Sequence, residues 1–95
     1  MSYVMIRHKV ANYAKWKRGV KAFAKFRAAS GEKCFYVSRS NKSPNDLLVW
    51  CAWDTSAKLK KFLKSPELRE AMKAAGVTGK PEIETFDKLE DLSAV

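Results

Sequence analysis

The 95-residue sequence contains few of the side chains that build metal and disulfide sites. It has one histidine, His8, and two cysteines, Cys34 and Cys51, whose spacing does not match a metal-ligand motif. No zinc or iron site is therefore expected, and the two thiols are expected to be buried and reduced. The sequence also lacks a glycine-rich phosphate loop, so no nucleotide or flavin cofactor is expected.

Long apolar runs are missing as well. No stretch of about 18 apolar residues is present, and the N-terminus lacks the basic, apolar and small-residue order of a secretory signal. We therefore expect no membrane partner and a cytoplasmic location. The length suits one domain, residues 1–95, with a core of modest size.

Acidic residues are scarce in the first half of the chain. Residues 1–45 carry eleven Lys/Arg and one acid, Glu32, whereas residues 46–95 carry eight Lys/Arg and nine acids, for a net charge of +9. The positive potential of the first half would attract anionic ligands, or nucleic acid without sequence preference. Residues 32–40 lack the glycines of RNA-recognition strands, which argues against nucleic acid as the partner.

Residues 47–53, Leu-Leu-Val-Trp-Cys-Ala-Trp, form an apolar run whose length and composition predict a β-strand. Side chains alternate across a strand, so Leu47, Val49, Cys51 and Trp53 share one face, and Leu48, Trp50 and Ala52 share the other. Both faces are apolar, although a single antiparallel sheet in a small domain normally leaves one face in water. Each face of this strand must therefore be buried against another structural element or another molecule.

The remaining sequence predicts a β-α-β-β-α-β order. The predicted elements are a strand at 2–10, a helix capped by Asn12 and ended near Ser30 by Gly31, strands at 32–40 and 47–53 joined by a turn, a helix restarted at Ser65-Pro66 and ended by Gly76, and a short strand at 82–86. This order is typical of the α+β ferredoxin-like fold, with a four-stranded antiparallel sheet and both helices on one face.

The helices can cover only one face of that sheet. The simplest cover for the other face is a homodimer in which the two sheets pack face to face, with Trp50 and Leu48 in the interface. Residues 88–95 are predicted to form an acidic tail, either a mobile end or an arm that reaches a partner.

Three stretches, "YVMIRHKVANYAKW", "LLVWCAWD" and "SPELREAMKAAGVTGKPEI", together with the order of elements, resemble the dimeric α+β barrel superfamily and its small antibiotic biosynthesis monooxygenase-like proteins. That superfamily includes cofactor-independent monooxygenases, haem-degrading enzymes, isomerases and ligand-sensing domains. Haem-degrading members bind iron through a histidine of the second helix, and residues 55–75 contain none. Unless Cys34 or Cys51 binds haem iron instead, the resemblance implies a protein without a cofactor, in which the substrate supplies the electrons for any reaction with oxygen.

The resemblance also implies a small-molecule pocket between the sheet and the helices of each subunit. His8 is the candidate catalytic base or hydrogen-bond donor to a phenol or enol, and the alternative is a buried histidine bonded to a backbone carbonyl. Arg27 is the candidate clamp for a carboxylate or enolate oxygen, and the alternative is a side chain that stabilises the helix C-terminus. Tyr13, Trp16, Phe23 and Trp53 are the candidate substrate-binding residues, with core packing as the alternative role.

Two functions follow from this site. The first is a cofactor-independent monooxygenase or isomerase acting on a small aromatic or cyclic compound, such as a quinol or a polyketide-like molecule. The second is a non-catalytic dimeric module that binds an anionic metabolite. A His8→Ala variant separates them, because it should abolish turnover under the first function and only weaken binding under the second.

Overall fold

The computed structural model describes residues 1–94. Its elements are β1 (Ser2–Val10), α1 (Tyr13–Ala22), α2 (Ala24–Ser30), β2 (Glu32–Arg39), β3 (Asp46–Trp53), α3 (Ser56–Leu63), α4 (Pro66–Ala74) and β4 (Val77–Asp87). The four strands form one antiparallel sheet in the order β2-β3-β1-β4. The predicted α+β ferredoxin-like fold is confirmed, with each predicted helix present as two shorter ones.

The helices begin where the sequence places capping residues. The side chain of Asn12 accepts a hydrogen bond from the Lys15 N–H, and Thr55 and Ser65 cap α3 and α4 in the same way. Pro66 occupies the first turn of α4, where its missing N–H costs nothing. Because each cap fixes the start of a helix, it also fixes which helical residues face the sheet.

The sheet has two different faces. The covered face, which packs against the helices, carries buried side chains of β1 and β3, namely Val4, Ile6, His8, Val10, Leu47, Val49, Cys51 and Trp53. The open face carries Tyr3, Met5, Tyr36, Leu48 and Trp50, all of them half-buried or exposed. The helices therefore cover a single face of the sheet, as the sequence predicts.

The first helical segment is interrupted at Phe23, which differs from the single helix predicted to run to Ser30. The Val20 carbonyl would normally accept the N–H four residues later, but here it accepts Nη1 of Arg27 at 3.0 Å. The chain then continues as α2 and ends at Gly31, whose φ of 122° lies outside the range that other residues adopt readily. The predicted stop at Gly31 is confirmed.

Two β-bulges break the regular pairing of the sheet. In β2, Glu32 pairs with Trp53 and Cys34 pairs with Ala52. Lys33 is therefore an extra residue with no partner on β3. Between β1 and β4, the register shifts between Arg7 and Lys9, and the three residues 79–81 lie opposite His8. A bulge turns the neighbouring side chains away from strict alternation.

The last strand is longer than the sequence predicts. β4 begins at Val77, whereas the prediction placed a short strand at 82–86 after Gly79 and Pro81. The bulge accommodates both residues within the strand, and Gly79 adopts a φ of 70°. Residues 88–94 form neither helix nor strand, with Leu89 and Leu92 exposed. Within residues 1–94, no helix is long and apolar enough to cross a membrane.

The net charge lies entirely on the helical layer, defined here as residues 13–30 and 54–76. This layer carries twelve Lys/Arg and three acids, while the rest of the chain carries seven of each. Of the twelve cations, all but Arg27 are exposed. The sheet and its loops are therefore neutral overall, although the chain has a net charge of +9.

Candidate functional site

A cavity of about 70 Å³ lies between the covered face of the sheet and the helices. Its wall is mostly apolar and includes Trp16 of α1, Phe35 of β2, Met72 of α4 and Trp53 of β3. His8, Arg27 and Glu32 are the titratable lining residues besides Cys51. An apolar pocket with a few converging polar groups is the usual form of a small-molecule site.

His8 projects from the covered face of β1 and is 6% exposed. Its ring lies 5.6 Å from the ring of Trp16. Burial lowers the pKa of His8 below its ordinary value, and the carboxylate of Asp46 opposes this shift in part. The imidazole is therefore neutral at pH 7, with one nitrogen able to accept a proton and the other able to donate one.

Arg27 turns inward from α2, as the sequence predicts. Its Nε lies 3.2 Å from Oε2 of Glu32, an ion-pair distance at which the N–H is not directed well enough for a hydrogen bond. Its Nη1 donates to the Val20 carbonyl, and its Cζ lies 4.4 Å from the centre of the Phe35 ring. Burial raises the pKa of Glu32, and the nearby Arg27 opposes that rise.

The imidazole and the Arg27–Glu32 pair lie at different ends of the cavity. The rings of Trp16 and Phe35 lie between them, with centroids 6.3 Å apart. Along the strands, His8 is level with Leu47 and Glu32 with Trp53, a separation of about 20 Å at about 3.3 Å per residue. His8 and Arg27 thus line one cavity, but they would contact different parts of a ligand.

The cavity wall also contains every buried side-chain nitrogen or oxygen in residues 1–94 that lacks a hydrogen-bond partner. These atoms are Nδ1 and Nε2 of His8, Nε of Arg27 and Nε1 of Trp53. Buried polar groups are nearly always paired in folded proteins, because an unpaired one loses its bonds to water without replacement. Of these atoms, Nε of Arg27 is in an ion pair with Glu32, so the imidazole of His8 and Nε1 of Trp53 are the ones without a polar partner among the described residues.

The other predicted site residues fall in two places. Trp16, Phe23 and Trp53 line the cavity. Tyr13 lies behind Trp16, at 5.8 Å between ring centroids, and the Arg39 guanidinium covers its ring at 4.8 Å, so it is not part of the cavity wall described for residues 1–94.

The two predicted interface residues lie on the open face. Trp50 stacks between Tyr3, at 5.1 Å, and Tyr36, at 5.7 Å, and Leu48 lies on the same face. The roles assigned to the cavity and interface residues stay predictions.

Glu32 is the site residue that the sequence analysis missed. Strict alternation places Glu32 on the opposite face from Phe35, and the bulge at Lys33 brings both side chains to the covered face. One signal in the sequence was available, since Glu32 is the single acid among residues 1–45. A lone acid directly after the glycine that ends a basic helix is a candidate partner for a buried arginine.

No group of three or more potential metal ligands occurs within the described part of the chain. Cys34 and Cys51 are free, and burial raises the pKa of the Cys51 thiol far above its usual range, which keeps it protonated and unreactive. The cavity group that can take up a proton near neutral pH is therefore His8.

The fold is that of the antibiotic biosynthesis monooxygenase-like structures, as the sequence resemblance implied. No protein-family model and no curated protein sequence matches the chain. Solved structures do match over nearly its whole length. They include SnoaB, a cofactor-independent oxygenase from Streptomyces nogalater, with a TM-score of 0.76 and 19% identity over 96% of this chain and 95% of that one.

Two further structures show the same likeness. A candidate antibiotic biosynthesis monooxygenase from Bordetella bronchiseptica has a TM-score of 0.77 and 17% identity, covering 94% of this chain and 97% of its own. Another, from Caulobacter crescentus, has a TM-score of 0.74 and 22% identity, covering 94% and 90%. At such identities the shared property is the fold, and activity has to be argued from the site.

Proposed function

We propose that this protein binds a small aromatic or cyclic molecule in the cavity and acts on it as a cofactor-independent monooxygenase or isomerase. The observation that carries this proposal is the set of unpaired buried polar atoms of His8 and Trp53 around one apolar cavity. The likeness in fold to a cofactor-independent oxygenase supports the same class of activity.

His8 is the proposed catalytic base. A neutral imidazole in an apolar wall can take the proton of a phenol or enol and leave an electron-rich anion. Oxygen can then oxidise a ring CH₂ to a carbonyl. One oxygen atom enters the substrate, the other leaves as water with the two hydrogens, and the substrate supplies all four electrons. Without O₂, return of the proton to a carbon of the anion instead of to its oxygen would give an isomerisation.

The size of the cavity limits the ligand. A cavity of about 70 Å³ is roughly half of the 150 Å³ that accommodates a benzene molecule in an engineered protein core. A single ring therefore needs some widening of the wall, and a polyketide-sized molecule needs much more. The half-buried side chains of Phe23, Leu63 and Met72 are the parts of the wall best able to move.

The test uses the single histidine as a reporter. The His8 ring signals would be followed by NMR through a pH titration and then with quinols, phenols and small aromatic acids. Compounds that shift the signals would be assayed for oxygen uptake and for isomerisation. His8→Ala should abolish turnover, while Lys9→Ala, the adjacent exposed residue on β1, should leave it unchanged.

Three results would count against this proposal or narrow it. Full turnover by His8→Ala would show that His8 is not the base. Binding without any oxygen uptake or isomerisation would leave a non-catalytic binding module. If no compound shifts the His8 signals, His8 does not contact a ligand and cannot be the base.

We also propose that two copies associate through their open faces. The stacked rings of Tyr3, Trp50 and Tyr36 form an apolar surface that water would otherwise cover. Face-to-face packing would bring the neutral sheets together and keep the two helical layers, which carry the whole net charge, on the outside. Sedimentation should find a dimer that Trp50→Glu converts to a folded monomer, and a monomeric wild-type protein would contradict this.

The two free thiols, Cys34 and Cys51, fit a reducing compartment, which supports the expected cytoplasmic location. Localisation of a tagged full-length chain would test this expectation.

A further inference from the structure

We propose that Glu32 sets the charge preference of the cavity, so that it accepts uncharged aromatic or cyclic ligands and rejects carboxylates and other anions. This inference rests on the proposed function, since it concerns the ligand of the same cavity. It assigns Glu32 as a specificity-determining residue and specifies the electrical state of the substrate at the moment it binds.

The charge balance of the wall is the first reason. Among the described residues that line the cavity, Arg27 and Glu32 are the only two that carry a full charge at pH 7, because His8 is neutral there. Their side chains are 11% and 9% exposed, so the surrounding water screens them poorly. Arg27 alone would make the cavity an anion site, and Glu32 at 3.2 Å cancels that charge.

The second reason is that Nε and Nη1 of Arg27 already have partners. Its Nη1 donates to the Val20 carbonyl, and its plane rests on the Phe35 ring. A ligand carboxylate could reach Arg27 in place of Glu32 only by displacing the Glu32 side chain. That exchange would leave a second carboxylate nearby in a poorly solvated place, which is costly for any anion that enters.

The third reason is the way in which Glu32 reaches the cavity. Regular pairing of β2 with β3 would direct this side chain to the open face, and the extra residue Lys33 turns it to the covered face. Without this bulge, Arg27 would have no acidic neighbour in the cavity wall. The bulge thus determines whether the cavity is neutral or positive.

The experiment compares two probes of nearly equal shape, benzamide and benzoate, at pH 7.5. Binding would be measured from shifts of backbone amide and His8 signals in NMR titrations, with no need for turnover. The wild-type protein should bind benzamide at least about tenfold more tightly than benzoate, because Glu32 already neutralises Arg27 and no free cation compensates benzoate for its lost hydration. This comparison needs no variant.

Glu32→Gln should abolish the preference, with benzoate binding strengthened at least about tenfold and benzamide binding nearly unchanged. The double variant Arg27→Met with Glu32→Gln should bind benzamide and lose the benzoate gain, which would assign the gain to Arg27. Glu84→Gln makes the same substitution on an exposed part of β4 and should behave as the wild type.

Each outcome has a separate meaning. Equal binding of the two probes by the wild-type protein would overturn the role of Glu32 and leave the ligand site in place. Preference for benzoate by the wild type would favour an anionic metabolite as the ligand and would also overturn it. If neither probe binds the wild type or either cavity variant, the proposed ligand site itself is wrong, and this inference falls with it.

Discussion

The two faces of the sheet are built from the same strands and have different uses. On β3, Val49 and Trp53 are 2% and 1% exposed on the covered face, whereas their neighbours Leu48 and Trp50 are half-buried on the open face. The covered face packs mostly aliphatic side chains against helices and leaves a small cavity. The open face stacks aromatic rings against one another, with no element of residues 1–94 across them.

This difference shows that the two apolar faces of one strand can have separate roles. The covered face supplies the core on which folding depends, because burial of apolar area is the main stabilising contribution in a small domain. The open face contributes less to the fold of the chain, and its apolar rings would remain in contact with water unless the proposed second copy packs against them. Substitutions on the two faces should therefore change different measured quantities.

Substitution of Trp53 and of Trp50 should give the largest difference in the free energy of unfolding between the two faces. Trp53→Ala removes a ring that lies 4.6 Å from Phe62 and should lower the free energy of unfolding by about 3–5 kcal/mol, as large core truncations do. Trp50→Ala loses two stacked pairs worth about 0.5–1.5 kcal/mol each, and should also remove any dependence of the melting temperature on protein concentration.

Chemical denaturation followed by circular dichroism would measure both variants, with Trp53→Phe as a control that keeps an aromatic ring. An equal loss for the two alanine variants would mean that the faces do not differ in the way proposed.

A smaller effect is expected where the helices meet over the covered face. A Cβ added at Gly19 of α1 would lie 2.8 Å from the Cβ of Ala75 at the end of α4, closer than two carbon atoms normally approach. Gly19→Ala should lower the free energy of unfolding by about 1–3 kcal/mol through overpacking, offset in part by about 1 kcal/mol of helix propensity.

The exchanged pair, Gly19→Ala with Ala75→Gly, tests the cause of this effect, because it removes the clash while keeping the alanine in α1. It should recover part of the lost stability in the same denaturation experiment. A Gly19→Ala variant more stable than the wild type would show that α1 and α4 move apart at little cost.

Most of the fold could be predicted from the sequence because its periodic patterns are strong. The alternation in residues 47–53 assigned side chains to the two faces, and Asn12, Ser65 and Gly31 marked helix ends. Local patterns of this kind depend on neighbours in the chain, so the sequence contains them directly.

The cavity could be predicted less completely, because its polar groups depend on irregular features. The inward direction of Arg27 followed from helical periodicity, but its contact with the Val20 carbonyl and the break at Phe23 did not. Glu32 was missed because a bulge reverses the face on which a side chain lies, and no local signal in the sequence sets the bulge at Lys33. Pairing between distant strands decides such features.

The smallest expected effect concerns the titration of His8 on the covered face of β1. Its neighbours in the sequence, Arg7 and Lys9, are exposed cations. Since burial lowers the pKa of His8 in the folded protein, the unfolded chain binds a proton near pH 6.5 while the folded chain does so only at lower pH. The unfolded state therefore holds more protons in this window, and the free energy of unfolding should fall as the pH is lowered through it. The raised pKa of Glu32 acts in the opposite direction at pH values above its ordinary pKa, so the wild type alone would show both contributions.

Denaturation of the wild type and of His8→Gln between pH 7.5 and 5 isolates the contribution of the histidine, because Glu32 is common to both proteins. The wild type should lose more stability than the variant across that range. Parallel curves for the two proteins would mean that the imidazole is as well solvated in the folded state as in the unfolded one, and would remove the basis for a neutral base in the cavity.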